Sequence, residues 1–177
     1  MDHATEGGAR PTEPRAVERG DYDAVRPAHT LETLTALFAA DPPELGDVDA
    51  VVPEGTDVLL VTLKEKGGLD VYVTASGEQI LCSTLLVRAD EVPARDRFDR
   101  FLLKGHKVVP LSTFGITEVD GVEWYELFGS LSARSRGSVV VEEVATLAAN
   151  SVEAAKMVGE WIETDGDIAS EQEGGAR

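Results

Sequence analysis

Residues 115–150 read GITEVDGVEWYELFGSLSARSRGSVVVEEVATLAAN. Asp120-Gly121 is the strongest hairpin signal in the chain, because a two-residue I′ turn needs positive φ at both central positions and this pair supplies it at low steric cost. It joins a strand at 116–119 to one at 122–131. On the second strand Val122, Trp124, Glu126 and Phe128 share one side, and Glu123, Tyr125 and Leu127 share the other. Neither side is cleanly polar, so the pattern predicts a bulge or contacts on both faces, and Gly129 suits either role. Ser138 then caps a long helix whose apolar positions, from Val140 through Leu147 to Val158 and Ile162, recur at three and four residues. Asn150-Ser151 marks a bend in it or a junction of two abutting helices. A hairpin feeding a long one-sided helix requires the helix to lie on the sheet that the hairpin belongs to.

Working toward the N-terminus, ARDRFDRFLLKG at 94–105 reads as a helix with Phe98, Phe101 and Leu102 on one stripe and Gly105 just past its end. Phe101 and Trp124 are its candidate core aromatics together with the hairpin. Residues 58–63, 69–73 and 80–87 read as three strands separated by KEKGG and ASGEQ, both glycine turns. In LDVYV, Leu69, Val71 and Val73 alternate with Asp70 and Tyr72, which predicts a sheet with one face on the core and one nearer water. DVDAVVP before them is a short apolar run stopped by Pro53. Thr30 caps a short helix carrying Leu31, Leu34, Leu37 and Phe38 on one face, and Pro42-Pro43 ends it. The order is helix, three or four strands, helix, two strands, long helix. This predicts an α+β fold: one mainly antiparallel sheet of about five strands with helices packed on it. Residues 29–162 form that single domain. Residues 1–28 and the acidic segment 163–177 are too poor in large apolar groups to offset their ordering entropy and read as disordered tails.

The 177 residues carry 33 acidic against 16 basic groups, a formal net charge of -17. That field repels phosphate backbones, so no nucleic-acid partner is expected. No window holds an apolar run long enough to span a bilayer, so no direct membrane insertion is expected either. The first residues, MDHATEGGARPTEPR, lack a basic-then-apolar leader, and the cytoplasm is the expected location. The lone Cys82 lies in an apolar strand and reads as a small buried hydrophobe.

The sequence shows no motif with convergent chemistry. His3, His29 and His106 fall in no metal-ligand spacing, and no glycine-rich phosphate loop or nucleophile elbow occurs. We expect no catalytic residue, no metal and no cofactor. The polar run GSLSARSRGS at 129–138 is the alternative: Ser132, Arg134 and Arg136 precede a helix start, where an anion is favoured, and an anion- or small-molecule-binding enzyme of unrecognised type is the competing reading. Against it stands a linker whose serines cap and whose arginines offset nearby acids. Tyr72, Tyr125 and Leu127 are the candidate partner-binding residues, taken to share a sheet face; the competing reading puts them under a helix.

Three pieces, LSTFGI at 111–116, YELFGSLSARS at 125–135 and EEVATLAANSVEAA at 142–155, resemble the uncharacterised bacterial DUF2170 (YjfI-like) family. The resemblance extends from the helix ETLTALF to residue 162. It carries no established catalytic residues. It implies a cytoplasmic accessory of a membrane-stress protein of the PspA/IM30 type, hence a non-enzymatic adaptor or chaperone-like protein. The element order also resembles the type III secretion chaperone-like fold, whose small α+β domains often dimerise, so a homodimer is a further expectation.

Overall fold

The computed structural model describes residues 26–174, with side chains described as far as residue 164. The elements are α1 (Leu31–Phe38), β1 (Val48–Val51), β2 (Leu59–Leu63), β3 (Leu69–Ser76), β4 (Gln79–Arg88), α2 (Arg95–Gly105), β5 (Thr113–Val119), β6 (Val122–Ser132) and α3 (Gly137–Gly174). The strands form one six-stranded sheet in the order β1-β2-β3-β4-β6-β5. Every neighbouring pair is antiparallel. The α+β expectation holds, with one strand more than the five anticipated: the short run stopped by Pro53 supplies β1, at the edge, where a proline next door costs no ladder bond.

Local chemistry explains most of the elements. Thr30 closes a capping box with Thr33, each side chain accepting from the other's backbone N–H. Asp120 and Gly121 take φ of 52° and 78°, which is the I′ hairpin turn between β5 and β6. The expected irregularity lies on the partner strand: the β4–β6 register shifts between Leu85 and Val87, so the extra residue sits in β4. Gly105 is the last residue of α2 with φ -86°, so it is not a left-handed stop; His106 caps instead, its Nδ1 donating to Leu103 O at 2.8 Å. α3 starts one residue ahead of Ser138, and the N–H groups of Val139 and Val140 donate to Arg136 O. It is continuous through Asn150-Ser151. Ser151 turns its hydroxyl back to Leu147 O at 2.7 Å, and Asn150 donates to Pro110 O and Ser112 Oγ. The helix runs on to Gly174, past the boundary drawn at 162. The N-terminal tail lies outside the described residues except for 26–28, as do residues 175–177.

All three helices pack on one face of the sheet. Leu34 and Phe38 of α1 and Val140, Val144 and Leu147 of α3 close over Leu59, Val61, Val71, Val73, Ile80, Cys82 and Leu127, forming the main core. A second cluster joins α2 to the far part of α3 and to β6: Phe98, Leu102, Tyr125 and Val158, with Trp161 and Met157 against them. Phe98 is its hub; its ring meets Tyr125 edge-on at 5.0 Å and Trp161 at 5.1 Å. Phe101, a candidate core aromatic in the sequence, is 44% exposed. Stripe membership did not decide burial, because the turn of α2 that carries Phe101 faces the gap between α2 and α3.

Candidate functional site

The opposite face of the sheet carries no helix among the described residues. Register places Leu60 beside Tyr72, Tyr72 beside Ser83, and Thr74 beside Leu81; Leu85 and Gly115 flank Glu126, and Trp124 and Phe128 are its neighbours on β6. These side chains are half-buried by one another, not by a covering layer. A shallow concavity of about 290 Å³ lies over part of this face, lined by Val58, Tyr72, Leu81, Leu85, Val119 and Glu126 among others. Gly115 lies beside Glu126 on the same face. A Cβ there would stand 3.0 Å from the Phe128 ring and 3.1 Å from Glu126 Oε1, so the missing side chain lets both lie across β5.

This geometry corrects the grouping read from the sequence. Tyr72 lies on the open face. Tyr125 and Leu127 lie on the other face, under the helices, 1% and 0% exposed. Tyr125 donates its hydroxyl to Asp99 Oδ1 at 2.5 Å, tying β6 to α2. Burial, and then that acceptor, push its pKa up to about 12. Trp124, the candidate core aromatic, stands on the open face. The sequence signal that could have found the face was the other half of β6, Trp124, Glu126 and Phe128, read together with Tyr72.

Glu126 is the notable charge of the open face. It makes no hydrogen bond or ion pair with the described residues, and burial raises its pKa. Asp70 is engaged by the Thr62 hydroxyl at 2.6 Å, and Arg88 is held by Asp90 at 2.6 Å.

A second apolar surface lies where α2 meets the edge strand β5. Leu103, Val108, Leu111 and Ile116 are exposed there beside Phe101, and Val108 is 84% exposed. A groove of about 310 Å³ between α2 and α3 has Phe101, Val108, Phe114 and Met157 among its walls.

Among the described residues, none of the cavities above, nor those beside Tyr125 and Glu123, is lined by Ser132, Arg134 or Arg136. Ser132, Arg134 and Arg136 are exposed. The Arg134 side chain donates to Arg26 O at 2.6 Å and stands 3.9 Å from Glu78, and Ser132 Oγ accepts from the Arg134 backbone. His29, which the sequence left without a role, fixes this linker: its backbone N–H donates to Ala133 O and its Nε2 to Ser135 O. His106, bonded at the end of α2, is not brought to these residues.

Glu143, in the first turns of α3, is a buried acid. It is 7% exposed, and its Oε1 has no hydrogen-bond partner. Desolvation, and then Glu142, raise its pKa. Cys82 nearby is fully buried; burial and the Glu143 charge push its thiol up to about 12, so it is an inert core group. Because the folded pKa of Glu143 lies above its unfolded value, its stabilising contribution is complete below the ordinary carboxylate range and is lost as pH rises through the raised pKa. Glu143→Met should therefore stabilise the protein by about 1–3 kcal/mol at neutral pH, and the gain should shrink toward pH 4. Urea titrations at several pH values measure this; a gain independent of pH would show that the charge is not the cause.

Among the described residues no group of three His, Cys, Asp or Glu side chains is placed to hold a metal, and no helix is long and apolar enough to cross a membrane.

Comparison with known proteins agrees with this architecture. The uncharacterized protein YjfI of Escherichia coli K12 is 27% identical over 110 residues, covering 62% of this chain and 83% of that one. The crystal structure of E. coli YbjN, described as a putative transcription regulator, superposes with a TM-score of 0.56 at 16% identity, over 75% of this chain and 95% of that one; at this identity the likeness speaks for the fold alone. A chain of the ExsC–ExsE complex superposes at 0.46 with 17% identity, over 72% and 92% of the two chains. The model of a family described as uncharacterized proteins conserved in bacteria, DUF2170, matches residues 28–162, and the chain belongs to that family.

Proposed function

We propose that this protein is a non-enzymatic cytoplasmic adaptor that holds a segment of a protein partner on its open sheet face. The observation that carries this reading is a six-stranded sheet covered on one side only among the described residues, whose bare side presents Leu60, Tyr72, Leu81, Leu85, Trp124 and Phe128, half-buried, around Thr74, Ser83 and Glu126. A sheet face this rich in partly exposed apolar side chains marks an interaction site. The family resemblance makes a PspA/IM30-type membrane-stress protein the partner to test first. Titration calorimetry with such a protein should give saturable binding that Leu81→Asp abolishes and Val119→Asp, at the rim, weakens about tenfold or more, each variant keeping its circular dichroism spectrum. No binding by the unmodified chain rejects that partner; binding untouched by both substitutions rejects the face. The competing reading, an anion-binding enzyme built on Ser132, Arg134 and Arg136, has less support, since Arg134 is already engaged by Arg26 and Glu78.

A homodimer finds support in a different place, the exposed apolar corner of α2 and β5. β5 is an edge strand with unpaired backbone groups, and antiparallel pairing of two β5 strands about a two-fold axis would cover Leu111 and Ile116 in both copies. Light scattering should give a dimer that Ile116→Lys converts to a monomer. A monomeric unmodified chain at micromolar concentration would reject this.

A further inference from the structure

Resting on the adaptor reading, we propose that the segment held on the open face is an amphipathic helix of a partner protein that carries a Lys or Arg within its apolar stripe, and that Glu126 selects it. Glu126 stands on β6 between β4 and β5, with Leu85 and Gly115 opposite it and Trp124 and Phe128 beside it on the same face. A carboxylate in that position has lost part of its hydration without gaining a counter-charge from the described residues. The remaining charges of the face do not supply one. Asp49 and Asp70 are also acidic, and Arg88, opposite Trp124, is bound in a two-pronged contact by Asp90. An incoming Lys or Arg would meet a desolvated acceptor, where a charge-assisted bond is stronger than at an open surface. A helix fits because the covered face already packs helices, and a second helical layer buries the apolar area between Tyr72 and Phe128 without needing a sheet edge.

Other occupants fit less well. Face-to-face pairing with a second copy would bring Asp49, Asp70 and Glu126 of each copy into one apolar interface with no balancing cation. The chain's own ends have the wrong sign. Residues 1–25 hold Asp2, Glu6, Glu13, Glu18, Asp21 and Asp23 against Arg10, Arg15 and Arg19, and residues 165–177 hold Asp165, Asp167, Glu171 and Glu173 against Arg177. An anionic membrane is repelled by the overall charge of -17.

The test is panning of a phage-displayed library of 18-residue amphipathic helices on the full chain, with the Leu81→Asp protein as the counter-selection target. Enriched peptides should place Lys or Arg inside the apolar stripe. A synthetic peptide from that pool should bind Glu126→Gln about tenfold more weakly, and its Lys→norleucine variant should bind the unmodified protein and Glu126→Gln alike. Enrichment of neutral or acidic stripes, or equal binding of the lysine peptide to both proteins, overturns the Glu126 inference and leaves the face as a docking site. Absence of any enrichment over Leu81→Asp overturns the face itself. A dimer in light scattering that Leu81→Asp dissociates would assign the face to a second copy and overturn the inference.

Discussion

Phe98→Ala should cost about 3–5 kcal/mol of unfolding free energy, the range for deleting a fully buried aromatic side chain. The stability of a domain of this size is about 5–15 kcal/mol in all, so this variant stands near the edge of folding. The reason is the place of Phe98 at the centre of the attachment. α2 meets the rest of the molecule through Phe98 and Leu102, through Phe101 and Arg97 against the Trp161 ring, through the Tyr125–Asp99 hydrogen bond, and through an exposed Arg95–Glu123 pair at 3.0 Å. An exposed pair of that kind contributes little. Phe98 touches three rings at once, those of Tyr125, Trp161 and Phe101, and its removal unseats α2 and the part of α3 around Trp161 together. Urea unfolding followed by tryptophan fluorescence reads both effects, since Trp161 loses the nearer of its two ring neighbours and should shift to longer wavelength before the main transition. Phe101→Ala, at a half-exposed position, should cost about 1 kcal/mol. Equal losses for the two variants would mean that α2 does not dock as described.

Gly129→Ala should destabilise by about 1–3 kcal/mol, the cost of overpacking a filled interior. Backbone propensity alone predicts the opposite sign, because glycine weakens a strand interior. The deciding fact is space. Gly129 pairs with Cys82 in the centre of the sheet on the helix-covered side, and a Cβ there would fall 1.6 Å from Glu143 Oε1 and 2.9 Å from Leu111 O. The glutamate side chain can move; the Leu111 carbonyl belongs to the backbone and cannot move freely. Glu143→Met in the Gly129→Ala background should therefore recover part of the loss and not all of it. The two substitutions touch each other, so their effects should not add. A stabilised Gly129→Ala protein, measured by thermal and urea unfolding, would show that the carboxylate does not occupy the space over Gly129.

The open face offers a contrast with both positions. Leu81 and Glu126 are half-buried by their strand neighbours only, so changes there should alter partner binding far more than folding. That separation is what makes the face testable, since a loss of binding in a protein of unchanged stability cannot be assigned to unfolding.

Turns, caps and strand spans were legible in the sequence because they rest on contacts within a few residues. Asp120-Gly121 takes the left-handed backbone that the hairpin needs, Thr30 closes its box with Thr33, and the alternation of Leu69, Val71 and Val73 with Tyr72 sorts β3 into two faces. Boundaries slipped where a signal was weak. Gly105 stayed helical and Asn150-Ser151 did not interrupt α3, because Ser112, Pro110 and Leu147 satisfy those side chains in place. The candidate site was legible only in part. β6 is apolar on both sides, and period-2 alternation assigns residues to two sets without saying which set meets the helices.

What the sequence by itself determined is an α+β chain with a meander, a hairpin and a long amphipathic helix, since local backbone preference and hydrophobic period act over single elements. Only the tertiary structure decided that Tyr125 and Leu127 go under the helices while Tyr72, Trp124 and Glu126 stay on the bare face. It also decided that Glu143 enters the interior over Gly129. Those outcomes depend on pairings such as Leu85 with Glu126 and Tyr72 with Ser83, and on which side α1, α2 and α3 settle. Burial is a sum over partners distant in the chain, and no single element carries that sum in its own residues.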